Sequence, residues 1–165
     1  MAFDPHNAPT ADRLIEVLGL TPLEPEGGWY RETWRSREAL SSGRPAGTAI
    51  LYLLTPDTFS AFHRLDADEI YHFHAGDPVT QVHLHDDGSS QVLTLGEDLA
   101  AGHRPRVVVP AGTWQGTFLD PGGRFALMGT TMTPGFMPDG YEAADRRELV
   151  ERFADRRELV LRLTR

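Results

Sequence analysis

Between Trp29 and Met132 the chain alternates short runs of aromatic and β-branched residues with clusters of turn-forming ones, and this rhythm limits the fold more than any other feature. The runs are WYRETWRS (29–36), TAILYLL (48–54), FSAFH (59–63), EIYHFHA (69–75), VTQVHLH (79–85), QVLTL (91–95), RVVV (106–109), WQGTF (114–118) and RFALMGTTM (124–132). Each is a strand's length, and its residue types suit a pleated, half-buried surface. SSGRP, TPD, GD, DDGSS, PAG, DPGG and TPG separate them, supplying the fixed or positive φ that tight turns need. Asp87-Gly88, flanked by two such runs, is the strongest hairpin signal. Short strands at this spacing, with no helical pattern between them, predict an all-β sandwich or barrel. No linker divides the chain, so residues 1–165 form a single domain.

Helical periodicity is confined to the two ends. Asp12 is placed to cap a short helix whose stripe is Leu14, Ile15, Val17 and Leu18, closed by Gly19. DRRELV occurs at 145–150 and again at 155–160, a period too short for a solenoid repeat. Each copy sets Asp three residues before Glu, as in a capping box, and so predicts a short helix. Leu149, Val150 and Phe153, then Leu159, Val160 and Leu163, would face the barrel.

Several chemistries are excluded by composition. The chain has no cysteine, which removes disulfides, thiolate metal sites and a cysteine nucleophile. All sixteen basic residues are arginine, so Schiff-base chemistry and a P-loop lysine are absent too. A net charge of -8 disfavours nucleic acid and anionic membrane surfaces as partners. An anionic small ligand would need a local arginine. No apolar run approaches a membrane span, and MAFDPHNAPT lacks the basic start and apolar stretch of a signal peptide. A soluble, cytoplasmic protein is the expectation.

The polar residues concentrate in FHRLDADEIYHFHAG (62–76). Strand alternation puts Glu69, Tyr71 and Phe73 on one face and Ile70, His72 and His74 on the other, so Glu69 cannot share an ion with His72 or His74. His63 ends the preceding strand, and the loop RLDAD can return it beside Glu69. In the first strand, Tyr30, Glu32 and Trp34 share a face. Were it the inner one, Glu32 would be partly desolvated and suited to acid–base work, with Arg31 and Arg35 outside. Trp114 and Gln115 lie on opposite faces, with Trp114 packing outside if Gln115 looks inward. Gln81, His83 and His85 form a polar face read as solvated or interfacial rather than as a two-histidine metal pair. Arg64 points away from the pocket toward an acidic neighbour, Gly27-Gly28 is a turn, and His6 and His103 are surface residues.

His63, Glu69 and Gly76 resemble the first motif of the cupin superfamily, and Pro110 with Gly112 in VPAGTWQ resembles the second. LGLTPLEPEGGWYRETWRS, FSAFHRLDADEIYHFHAGD, GTTMTPGF and the helical tail are similar to the cupin branch catalogued as a domain of unknown function (fifth cupin family). The resemblance implies a cupin-type antiparallel jelly-roll barrel with short N- and C-terminal helices, paired as a homodimer. The metal-binding pattern has histidines where this chain has Leu65 and Gln115. The matching set His63, Glu69 and Gln115 would hold a divalent metal ion weakly, and a metal-free His63–Glu69 pair in a polar pocket is the favoured reading.

Similarity to metal-free sugar-nucleotide epimerases of cupin fold implies an isomerase or epimerase acting on a polar, sugar-like or nucleotide-linked compound. His63, Glu69, Tyr71 and Glu32 are then the candidate acid–base groups, and Tyr30, Trp34, Phe73 and Gln115 the ligand-facing ones. A non-catalytic ligand-binding cupin and a metal-dependent oxygenase or isomerase stand as alternatives.

Overall fold

The computed structural model describes residues 9–165. His6 therefore lies outside the described residues. Two antiparallel sheets make up a jelly roll. The first runs β1 (Thr21–Pro22), β2 (Trp29–Arg35), β3 (Thr48–Leu54), β10 (Ala126–Met132), β5 (Glu69–Gly76), β8 (Arg106–Val109). The second runs β11 (Tyr141–Ala143), β4 (Phe59–Leu65), β9 (Trp114–Leu119), β6 (Val79–Leu84), β7 (Ser90–Leu95). Every run named from the sequence is a strand. The two additions, β1 and β11, are too short to carry a detectable alternation.

The Asp87-Gly88 turn joins β6 to β7, with Gly88 at φ 86 and its N–H bonded to the His85 carbonyl at 3.0 Å. The N-terminal helix α1 (Ala11–Leu18) packs its apolar side, Leu14, Ile15 and Leu18, against a cluster that includes Leu53 and Phe125. Its cap is Thr10, whose hydroxyl accepts from the Arg13 N–H, rather than Asp12, which lies in the first turn. Asp12 is already the second helical residue, where its charge favours the helix N-terminus without capping it. Gly19 closes the helix in the left-handed region, as expected.

In the tail, α2 (Arg146–Arg152) is capped by Asp145 through the Glu148 N–H. The second copy of the repeat does not follow suit. Residues 154–156 form a 3-10 turn, α3 (Arg157–Arg162) starts after it, and Asp155 caps nothing. The turn carries Asp155 out of the capping position, so identical hexapeptides take different local structure. Leu149, Phe153, Val160 and Leu163 are fully buried against Phe62, Val82, Leu84, Trp114 and Phe118 on the outer face of the second sheet. Each such burial contributes about 2 kcal/mol. The tail also completes the β4 edge, where the Phe62 N–H donates to the Leu163 carbonyl and the Ala144 N–H to the Phe62 carbonyl. Among the described residues no helix is long and apolar enough to cross a membrane.

Between the sheets the interior is divided by polarity. Leu54, Val79, Leu95, Leu119 and Ala126 fill one end as a continuous apolar cluster. Polar side chains gather at the other, where β4 gives way to β5.

Candidate functional site

Register places the polar groups. His63 pairs with Gln115 across β4 and β9, and Gln115 pairs with His83 across β9 and β6. Directly opposed residues share a face, so these three form a row inside the barrel. A second row is Ser60, Thr117 and Gln81. From the first sheet come Glu69 and Tyr71 on β5, Thr130 on β10 and Tyr52 on β3, the last two linked to β5 through the ladder. All of these are buried.

The carboxylate nearest His63 is one that sequence reasoning missed. Glu26 lies in the loop before β2, and its Oε2 is 3.7 Å from His63 Nε2. Its Oε1 accepts a hydrogen bond from the Ser60 hydroxyl at 2.7 Å, and its backbone carbonyl accepts from the Ala61 N–H at 2.8 Å. The loop comes this close because Gly27 and Gly28 follow. At φ 109 and 78 both occupy the left-handed side of the map. A Cβ on Gly27 would collide with the Phe59 carbonyl, and one on Gly28 would lie 2.8 Å from the Tyr52 ring. Tyr52 donates its hydroxyl to the Gly27 carbonyl at 2.8 Å. The glycine pair after a glutamate was the available signal, but without periodicity it read only as a turn.

His63 is held at its other nitrogen. Its Nδ1–H donates to the Ala61 carbonyl at 2.8 Å, which leaves Nε2 as the reactive atom facing Glu26. The ring is 1% exposed and stacks on Tyr141, centroids 5.2 Å apart at 18°. Across the interior, Gln115 donates Nε2–H to Glu69 Oε2 at 2.8 Å. Burial pushes the Glu69 carboxyl upward, helped by the nearby Glu26 charge and opposed by His63 and by hydrogen bonds from Thr130 and Gln115. Burial, then the charges of Glu69 and Glu26, raises the Tyr71 phenol far above its usual range, so that it stays protonated. Gln115 Oε1 is buried with no hydrogen-bond partner.

The structure thus brings His63, Glu69, Tyr71 and Gln115 into one interior. Phe73 and Tyr30 are partly buried and pack against the adjoining core cluster. Glu32 and Trp34 require correction. A bulge between them shifts the strand's phase, so Trp34 turns to the outer face and is 54% exposed. Glu32 is exposed at the barrel rim and bound by Arg35, at 2.7 and 2.9 Å, so it is not desolvated. His83 is corrected in the opposite direction. It is 2% exposed, donating Nε2–H to Gln81 Oε1 at 3.1 Å, while Gln81 Nε2–H donates to Thr117 at 3.3 Å. His72 and His74 do lie on the outer side, His72 beside the Thr131 hydroxyl at 3.0 Å. Arg64 pairs with Glu142 at 2.7 Å and covers the outward-packed Trp114 ring at 4.5 Å.

Two open clefts lie outside this interior. One of about 610 Å³ runs along the outer face of the first sheet, between Trp34, Ile70 and Thr131. The other, about 410 Å³, is lined by Arg64, Leu65, Gly112, Gly140 and Tyr141. Tyr141 is common to the second cleft and to the His63 stack, which makes its ring the partition between them.

A divalent metal would have to use these same donors. They offer one imidazole, with Leu65 packed among Ala67, Met132 and Tyr141 where a second would stand. Gln115 turns its N–H rather than its oxygen toward Glu69. Among the described residues no three His, Cys, Asp or Glu side chains converge as an ion-binding group. First-row divalent ions favour two or three imidazoles beside a carboxylate, and this set does not fit one.

The sheet topology and the polar end of the interior together define a cupin-type jelly-roll barrel. The chain belongs to the cupin superfamily (DUF985), whose sequence profile matches residues 12–144. It is similar to an uncharacterized protein of Saccharomyces cerevisiae, YML079W, at 30% identity over 129 residues. That match takes in 67% of this chain and 64% of the yeast protein, so the chain spans a little under two thirds of this relative. Among solved structures, protein SO0799 from Shewanella oneidensis superposes with a TM-score of 0.89 at 36% identity, covering 95% of this chain and 98% of that one. A hypothetical protein from Leishmania major gives 0.86 at 28% identity, with coverage of 94% and 99%. Bacillus subtilis oxalate decarboxylase, a protein described with Mn(II) centres, shares the fold at a TM-score of 0.56 and 15% identity, over 87% of this chain and 37% of the enzyme.

Proposed function

We propose that the polar end of the barrel binds a small, sugar-like molecule and moves a proton at one of its carbons, as an isomerase or epimerase does. The observation that carries this reading is the buried imidazole of His63, tied through Nδ1 to the Ala61 carbonyl and presenting Nε2 beside Glu26. In the reaction, the Nε2 lone pair takes the proton from a carbon next to a carbonyl. The imidazolium so formed is stabilised by the Glu26 carboxylate, and the electron pair left behind moves onto the carbonyl oxygen. A proton is returned to the carbon from the other side by Tyr71, and exchange with solvent resets both groups. Tyr71 suits the acid role because its raised pKa keeps the proton in place.

The test is incubation with a panel of reducing sugars in D2O, followed by mass spectrometry of the sugar. Deuterium should enter at the carbon beside the carbonyl with the native protein. It should not with His63→Ala, whose folding is checked by circular dichroism. Binding of a sugar without any exchange would make the protein a ligand carrier and remove the catalytic reading.

A further inference from the structure

The interior holds an acceptor that no group of the protein satisfies, and this bears on what it can hold. Tyr71 keeps its hydroxyl for the proposed proton transfer, but four neighbouring donors are committed. Ser60 gives its proton to Glu26, Gln115 its N–H to Glu69, Tyr52 its hydroxyl to Gly27 and His63 its Nδ1–H to Ala61. What remains open is Gln115 Oε1, on a side chain 1% exposed, together with the carboxylates of Glu26 and Glu69. A buried carbonyl oxygen without a partner is costly, and an N–H or O–H brought by a ligand would satisfy it.

Positive charge is missing from the same space. The chain has no lysine, and none of its sixteen arginines is among the buried residues. Arg44 pairs with Asp66, Arg64 with Glu142 and Arg35 with Glu32, all of them outside. Arg165 reaches the mouth but is exposed, bonding only the Glu26 backbone carbonyl. A phosphate carried inside would face two carboxylates with no guanidinium to answer it.

We infer that the site selects a compact amine-bearing ligand, an amino sugar or amino polyol, whose ammonium lies against Glu26 and Glu69 while it donates to Gln115 Oε1. Phosphorylated and nucleotide-linked compounds are rejected. The inference rests on the barrel interior being the ligand site, as proposed above, and it narrows the substrate class.

The experiment follows the His63 Cε1–H signal by NMR in uniformly labelled protein, assigned by its loss in His63→Gln. Ethanolamine and glucosamine are titrated against glucose and glucose 6-phosphate near neutral pH. Both amines should move the signal, glucosamine at a concentration about tenfold below glucose, the ratio expected of one charge-assisted hydrogen bond. Glucose 6-phosphate should leave it in place. In Gln115→Leu the preference for glucosamine should fall toward that for glucose. A response to glucose 6-phosphate matching that to glucosamine overturns the inference, and so does silence toward both amines. If Gln115→Leu does not fold, Glu69→Gln takes its place with the same expectation. Deuterium exchange into a neutral sugar without amine preference removes only the ligand class. Amine binding without exchange removes only the catalysis.

Discussion

Acidification should destabilise the protein through His83, whose buried ring resists protonation. Burial is the main cause that lowers its pKa, from 6.5 to about 4, with His85 and Arg104 adding to it. In the unfolded chain the same ring titrates near its ordinary value. Between those two limits the unfolded state binds the extra proton and the native state refuses it. Stability from this ring is therefore complete above about pH 6.5 and is lost as pH falls toward 4. The 2.5-unit gap corresponds to about 3 kcal/mol at the lower end, a large share of a domain's total of roughly 5–15 kcal/mol.

Other groups titrate across this range too, so the informative quantity is the difference between the native protein and His83→Gln, which cannot take a proton. Urea unfolding at pH 7 and again near pH 4.5 gives both slopes. The variant should lose on the order of 2 kcal/mol less than the native protein on moving between them. NMR titration of the His83 Cε1–H signal should show no protonation until below pH 5. Protonation near pH 6.5, or parallel pH slopes in the two proteins, would refute the argument that an enclosed neutral ring holds this wall together.

Glu69 works in the reverse direction. Its folded pKa is raised, so the stability tied to its proton is present at low pH and falls as pH climbs through the raised value. Glu69→Gln should accordingly raise the urea midpoint at pH 7 and leave it little changed near pH 4. Glu26→Gln should slow deuterium exchange into a responsive sugar by about tenfold or more without a comparable loss of stability, since the carboxylate stabilises the imidazolium rather than the resting fold. Tyr141→Ala should open the partition beside His63. Diethylpyrocarbonate should then modify that ring faster, as mapped by peptide mass spectrometry, and an unchanged rate would place the entrance elsewhere. Size-exclusion chromatography with light scattering should give twice the mass of one chain, the homodimer expected from the resemblance.

The sequence made legible what depends on a strand's own rhythm. Glu69, Tyr71 and Gln115 fall inside because alternation holds along β5 and β9 at those positions, and His63 joins them by pairing with Gln115 just past an irregularity in β4. Trp34 defeated the same rule, since a bulge is a property of a strand pair and leaves no mark in one strand read alone. His83 was misjudged for a related reason. Gln81, His83 and His85 look like an outward polar face only if the barrel has a wet outside there, whereas α2 and α3 cover that side and both faces of β6 are buried. Glu26 could not be placed by any period, because a loop has none. Its position follows from hydrogen bonds with Ser60 and Ala61, more than thirty residues away.

The Gly27-Gly28 step separates the reactivity of the cavity from its framework. The barrel wall supplies the imidazole and one acid, but the other acid arrives on a loop that is tied to the wall by the Ala61 N–H and the Tyr52 hydroxyl. Because those ties use backbone carbonyls, the side chain at position 26 can change without altering how the loop is held. Replacing that one acid should therefore change the chemistry of the cavity while leaving the barrel as it is.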